Sequence, residues 1–142
     1  MIKAEDLRIG DLVIVNENCS LEQGTIGKVS EVRSTPLYKE NEGSIGLKPI
    51  SNDRWPWGVL CRNIDPIPLT PEILEKNGFK MREDTVVYAK NRLGLKPLGD
   101  GKGYQVGLGS LRFLFVKVRI IKYVHELQHI LWALGLDANL KI

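Results

Sequence analysis

Apolar and polar positions alternate along most of this chain, and twice the spacing changes to that of a helix. Leu12-Val13-Ile14-Val15 is a short apolar run behind the turn pair Gly10-Asp11. Residues 25–32 then place Ile26, Lys28, Ser30 and Val32 on one side of an extended segment. Residues 44–49 and 57–61 read as further strands, separated by polar connections at 34–43 and 51–54. Short strands divided by turns predict a small β-barrel in the first half.

Asp65-Pro66-Ile67-Pro68 marks a boundary, because its prolines forbid helix and disrupt a strand. A short helix follows, with Thr70 as N-cap, Pro71 at the first helical position, Glu72 at the positive end and Gly78 to close it. Ile73, Leu74 and Phe79 supply its packing face. Residues 85–90, 93–97, 104–108 and 111–120 return to strand spacing. The last of these sets Leu114, Val116, Val118 and Ile120 against Phe113, Phe115, Lys117 and Arg119. A helix over 122–134, ended by Gly135, is predicted to lie across that sheet. The expected fold is α+β: an N-terminal barrel over 1–68, then a helix, an antiparallel β-meander and a C-terminal helix over 69–142. Whether the two halves form one compact unit is left open.

At 142 residues the chain can build a core without disulfides or metal. A net charge of +3 permits a nucleic-acid partner but is not the concentrated basic face that argues for one. Cys19 and Cys61 suit reduced thiols. The acidic start at Glu5-Asp6 is unlike a signal peptide, and no apolar run reaches membrane-spanning length, so a cytoplasmic protein is expected.

One motif proposes chemistry. His125-Glu126-Leu127-Gln128-His129 spells H-E-x-x-H, in which two histidines on one helix face hold zinc and the glutamate activates a bound water. Catalytic zinc needs a third protein ligand. Only thirteen residues follow His129, with Asp137 their sole acid, and Glu83 and Asp84 are the other candidates. In the extended zinc motif, Trp132 and Gly135 stand where Gly and His belong. At roughly 100° per residue, Val124, Leu127, Ile130, Leu131 and Leu134 form one apolar stripe, with both histidines opposite it and facing solvent. The preferred expectation is therefore no catalytic residue and no cofactor. The alternative is a minimal zinc hydrolase with His125 and His129 as ligands and Glu126 as base.

Two resemblances bear on these readings. The segments Ile64-Asp65-Pro66-Ile67-Pro68-Leu69-Thr70-Pro71-Glu72-Ile73-Leu74, running on to Gly78-Phe79, and Ile121-Lys122-Tyr123-Val124-His125-Glu126-Leu127-Gln128-His129, followed by Leu131-Trp132-Ala133-Leu134, resemble a family of small proteins associated with prophages and mobile elements of gut anaerobes. Leu7-Arg8-Ile9-Gly10-Asp11-Leu12-Val13 is similar as well, so about a third of the chain is covered. That family commonly carries Gln in place of Glu126 and Asn in place of His129, which implies that neither a base nor a complete ligand pair is required. It carries no activity to transfer. Separately, Gly10-Asp11-Leu12-Val13-Ile14-Val15 with Gly24-Thr25-Ile26-Gly27-Lys28-Val29 resembles the entry of an SH3-like barrel and the Gly-x-x-Gly-x-Val heart of KOW-type modules, some of which bind RNA.

The other candidates are surfaces. Gly99-Asp100-Gly101-Lys102-Gly103 invites a phosphate-loop reading, but no Ser or Thr follows Gly-Lys and a strand follows instead of a helix, so a hairpin loop is expected. Trp55-Pro56-Trp57 can line a peptide groove or stack on bases; the plainer reading buries Trp57 in the barrel and lays Trp55 over its rim. Phe113 and Phe115 beside Lys117 and Arg119 mix aromatics with cations, as interaction surfaces do. Arg112 and Lys122 fall on the other side of that pattern. The C-terminal helix has a second apolar flank, Trp132 included, which either a dimer or its own sheet can cover. The expected function is a non-catalytic binding protein of mobile-element type with a protein partner. A zinc hydrolase and a KOW-like nucleic-acid module are the alternatives.

Overall fold

A computed structural model describes residues 2–33, 43–51, 55–109 and 116–142. Their contacts divide the chain into two compact units, Met1–Ile67 and Pro68–Ile142. Both combine antiparallel sheet with short helical segments, and the fold class is α+β.

In the first unit, β1 (Leu12–Val15), β2 (Ile26–Arg33), β3 (Ser44–Pro49), β4 (Trp57–Leu60) and β5 (Ile64–Pro66) form one antiparallel sheet in the order β4-β3-β2-β1-β5. Neither this sheet nor the second one closes on itself among the described residues. The alternation read in the sequence becomes the core: Val13, Val15, Val29, Ile45, Leu47, Val59 and Ile64 are all buried. Ile2, Ala4 and Leu7, around a 3-10 turn at Ala4–Asp6, pack on the same cluster. Cys61 joins that core from a second 3-10 turn, Cys61–Asn63, while Cys19 is exposed, and the two form no disulfide.

The strand stops at Pro66 and the first unit at Ile67, where the sequence placed its boundary. Pro66 is the last residue of β5 and lies opposite Val13, on an edge strand where a missing N–H leaves no ladder bond unmade.

The second unit begins with α1 (Pro71–Lys76), capped as expected by Thr70, whose Oγ1 accepts from Ile73 N at 3.4 Å. Then β6 (Lys80–Arg82), β7 (Val87–Lys90), β8 (Leu93–Pro97), β9 (Tyr104–Leu108) and β10 (Val116–Ile121) form a meander in strict order. α2 (Val124–Ala133) follows. Leu74, Phe79, Leu93, Leu95, Val106, Ile121, Val124, Leu127 and Leu131 are among its buried apolar residues.

Three expectations are corrected in this unit. The strand read from residue 85 begins at Val87, because Glu83 to Val86 make the turn from β6. Val86 there takes φ +52 with its side chain 57% exposed, a strained backbone for a β-branched residue. In β10 the register shifts between Lys117 and Arg119, so the even spacing assumed for that strand breaks. Ile120, expected inside, is exposed, and Ile121, opposite Tyr104, is fully buried.

Beyond α2 the chain is held by side-chain amides, which the hydrophobic pattern did not foretell. Gln128, itself buried, donates to Ala138 O at 3.1 Å. Asn77 donates to Lys141 O at 2.7 Å and accepts from Lys141 N at 2.8 Å, pairing with the tail as a neighbouring strand would.

Candidate functional site

α2 carries the zinc motif, and its glutamate is engaged at the start of the helix. Tyr123, the residue before the helix, offers no side-chain cap. Glu126, at the third helical position, supplies one: its Oε2 accepts from Lys122 N at 2.7 Å and from Tyr123 N at 3.1 Å. Its Oε1 meets the guanidinium of Arg119 on β10 at 3.1 Å. The carboxylate is thus a structural anchor for orphan N–H groups.

The histidines do not face solvent as the apolar stripe implied. His125 is buried at 6% exposure and His129 is half-buried. The buried face runs through Val124, His125, Leu127, Gln128 and Leu131, rotated by roughly 60° from the predicted stripe at 100° per residue. The cause is polar: Gln128 turns inward to hold Ala138. His125 then lies between two rings, stacked on Tyr123 (5.9 Å, 11°) and edge-on to His129 (5.7 Å, 75°). No third His, Cys, Asp or Glu joins the pair in a metal-holding cluster among the described residues. Trp132, 68% exposed, and Leu134, 41% exposed, lie off the buried face.

On the first unit, both tryptophans depart from the reading that placed Trp57 in the core and Trp55 over it. Trp57 pairs with Leu47 and so lies on the core face, yet it sits at the end of β4 and stays 42% exposed. Trp55 is 88% exposed. β4 is an edge strand, paired only with β3 among the described residues. Two large aromatics therefore stand at the start of a strand whose outer edge is unpaired among the described residues.

No family model, curated protein or solved structure matches this chain.

The aromatic and basic strand face is only partly visible. Phe113 and Phe115 lie outside the described residues, as does the side chain of Lys117. Arg119 is exposed and tied to Glu126. The glycine-rich run 99–103 is a hairpin loop between β8 and β9, as expected, closed by Lys102 N to Gly99 O at 2.9 Å and Leu98 N to Gly103 O at 3.0 Å.

Sequence reading passed over what this loop faces. A cavity of about 390 Å³ lies between it, the Pro68-Leu69 lead-in to α1 and the Lys122-Tyr123 approach to α2, with Tyr104 in its wall. Burial pushes the Tyr104 hydroxyl above the ordinary tyrosine range, and the neighbouring Tyr88 and Glu72 add to the effect. A second, apolar groove of about 540 Å³ is lined by Leu93, Leu108, Leu134, Leu136 and Arg92 among others. No helix among the described residues is long and apolar enough to cross a membrane.

Proposed function

We propose that this chain is a non-catalytic interaction protein whose N-terminal unit takes an extended segment of a partner protein along β4, with Trp55 and Trp57 as anchors. The observation that carries the reading is the 88% and 42% exposure of two tryptophans at the start of an edge strand. Large aromatics left in solvent are a standing opportunity for binding, since the few residues that carry most interface energy are enriched in Trp. An unpaired strand edge supplies main-chain hydrogen bonds to an incoming strand, and side-chain pockets then set specificity.

The strand order β4-β3-β2-β1-β5, with a 3-10 turn at Cys61–Asn63 immediately before β5, supports an SH3-like reading of this unit. The wording of the two C-terminal segments supports placing the protein with the mobile-element family, acting in the cytoplasm of its host cell. A protein partner is favoured over nucleic acid because the net charge is only +3. The zinc-hydrolase reading gains no support from α2, where Glu126 is engaged as a cap.

Selection of displayed peptides on the purified chain tests this reading. Enriched sequences should alternate apolar with polar residues, and Trp55→Ala or Trp57→Ala should weaken their binding by about thirtyfold, the effect of losing an anchor of 2 kcal/mol. Binding indifferent to both substitutions, or salt-dependent binding to nucleic acid in place of peptide, would overturn it.

A further inference from the structure

The cavity beside the glycine loop carries an inference independent of the tryptophan surface, since every residue lining it lies in the second unit. Its walls are of three kinds. Pro68, Pro97, Leu69, Tyr104 and Tyr123 present flat or apolar surface suited to a planar ring. Lys122 presents an ammonium, and Asp100 a carboxylate, and no ion pair joins either to another described residue.

The third kind is bare backbone. An added Cβ at Gly99 or Gly101 would meet nothing within 4 Å, and the N–H groups of Asp100 and Gly101 bond to no described residue. The left-handed run of φ +71, +47 and +67 across Gly99, Asp100 and Gly101 holds those amides in a fixed loop. The end of α2 is not the attraction, because the carboxylate of Glu126 already caps it.

A cation and exposed amides call for an anion, while a separate carboxylate calls for a hydrogen-bond donor on the same ligand. The volume of about 390 Å³ falls within the range of roughly 300–1,000 Å³ usual for small-molecule sites. The geometry points to a site for a small planar-ring anion that also carries hydroxyl or amino donors, of which a nucleoside monophosphate is the simplest example. Lys122 and the loop amides hold its phosphate, Asp100 takes a ribose hydroxyl or ring amine, and the ring lies against the prolines and tyrosines. This is binding without the Lys-Ser/Thr chemistry of a nucleotide hydrolase.

The test uses the full chain, labelled with nitrogen-15 and titrated with adenosine monophosphate. Saturable amide shifts confined to residues 97–104 and 121–124 are expected. Lys122→Ala and Asp100→Asn should each weaken binding by about tenfold, the loss of one charge-assisted hydrogen bond. Neither change disturbs the fold: the cap at Lys122 uses its backbone N–H, and Asn tolerates the left-handed conformation at 100. Inorganic phosphate and adenosine should each compete only weakly. Phenyl phosphate binding as tightly as the nucleotide would remove the acceptor role given to Asp100 and overturn the ligand class. Absence of saturable shifts, shifts centred elsewhere, or equal affinity in folded Lys122→Ala and Asp100→Asn variants would overturn the site.

Discussion

Replacing Glu126 separates the structural account of α2 from the catalytic one. Glu126→Ala removes the acceptor for two N–H groups, at 2.7 and 3.1 Å, together with the contact to Arg119. A lost cap costs about 0.5–2 kcal/mol. The ion pair adds less than about 1 kcal/mol, because the Arg119 side chain is 53% exposed and solvent screens it. The expected loss for Glu126→Ala is therefore about 0.5–3 kcal/mol. Glu126→Gln keeps an oxygen able to accept from both N–H groups and loses only the charge, so it should cost under about 1 kcal/mol. Urea denaturation followed by far-ultraviolet circular dichroism measures both. Equal losses in the two variants, or no loss in Glu126→Ala, would refute the capping role. A hydrolytic activity abolished in Glu126→Gln at unchanged stability would restore the zinc reading.

Gly103→Ala should destabilise the second unit by about 2 kcal/mol or more, since the residue sits at φ +92 and a Cβ would collide with the carbonyl oxygen of Ile121; an unchanged urea midpoint would contradict this. Val86→Gly should raise stability by about 1 kcal/mol by relieving the strained φ of +52, and a lower midpoint would show that the exposed valine makes compensating contacts. Tyr88 and Tyr104 are both held above the ordinary tyrosine range, chiefly by burial, with Glu75 and Glu72 adding at Tyr88 and Tyr88 and Glu72 at Tyr104. Because the folded state keeps protons that the unfolded chain has lost, their contribution is complete below about pH 10 and disappears as pH rises through the folded-state values. Unfolding midpoints flat across that alkaline range, with all tyrosinate absorbance appearing at the ordinary pH, would contradict the assignment.

Strand alternation and helix punctuation were legible because they are local. Leu12 to Val15, the Thr70-Pro71 helix start and the hairpin at 99–103 each follow from neighbouring residues. What failed depended on distant partners. The rotation of α2 follows from Gln128 reaching Ala138, and a single bulge after Lys117 reversed the inside and outside positions of Ile120 and Ile121. The capping role of Glu126 was hidden because a glutamate at that position suits either a cap or a base, and Tyr123 stands where Ser or Thr would have shown the cap signature. Trp57 occupies a core-facing register at a sheet end, a distinction between burial and exposure that alternation alone does not encode.

The most direct test of the interaction account is to map where the tightest selected peptide binds, using amide shifts across the full chain. The account predicts that Trp57 to Leu60 shift most, with both tryptophan indoles, and that amide exchange along β4 slows as its open edge gains a strand. Shifts spread over the second unit, with β4 and the indoles unmoved, would contradict it.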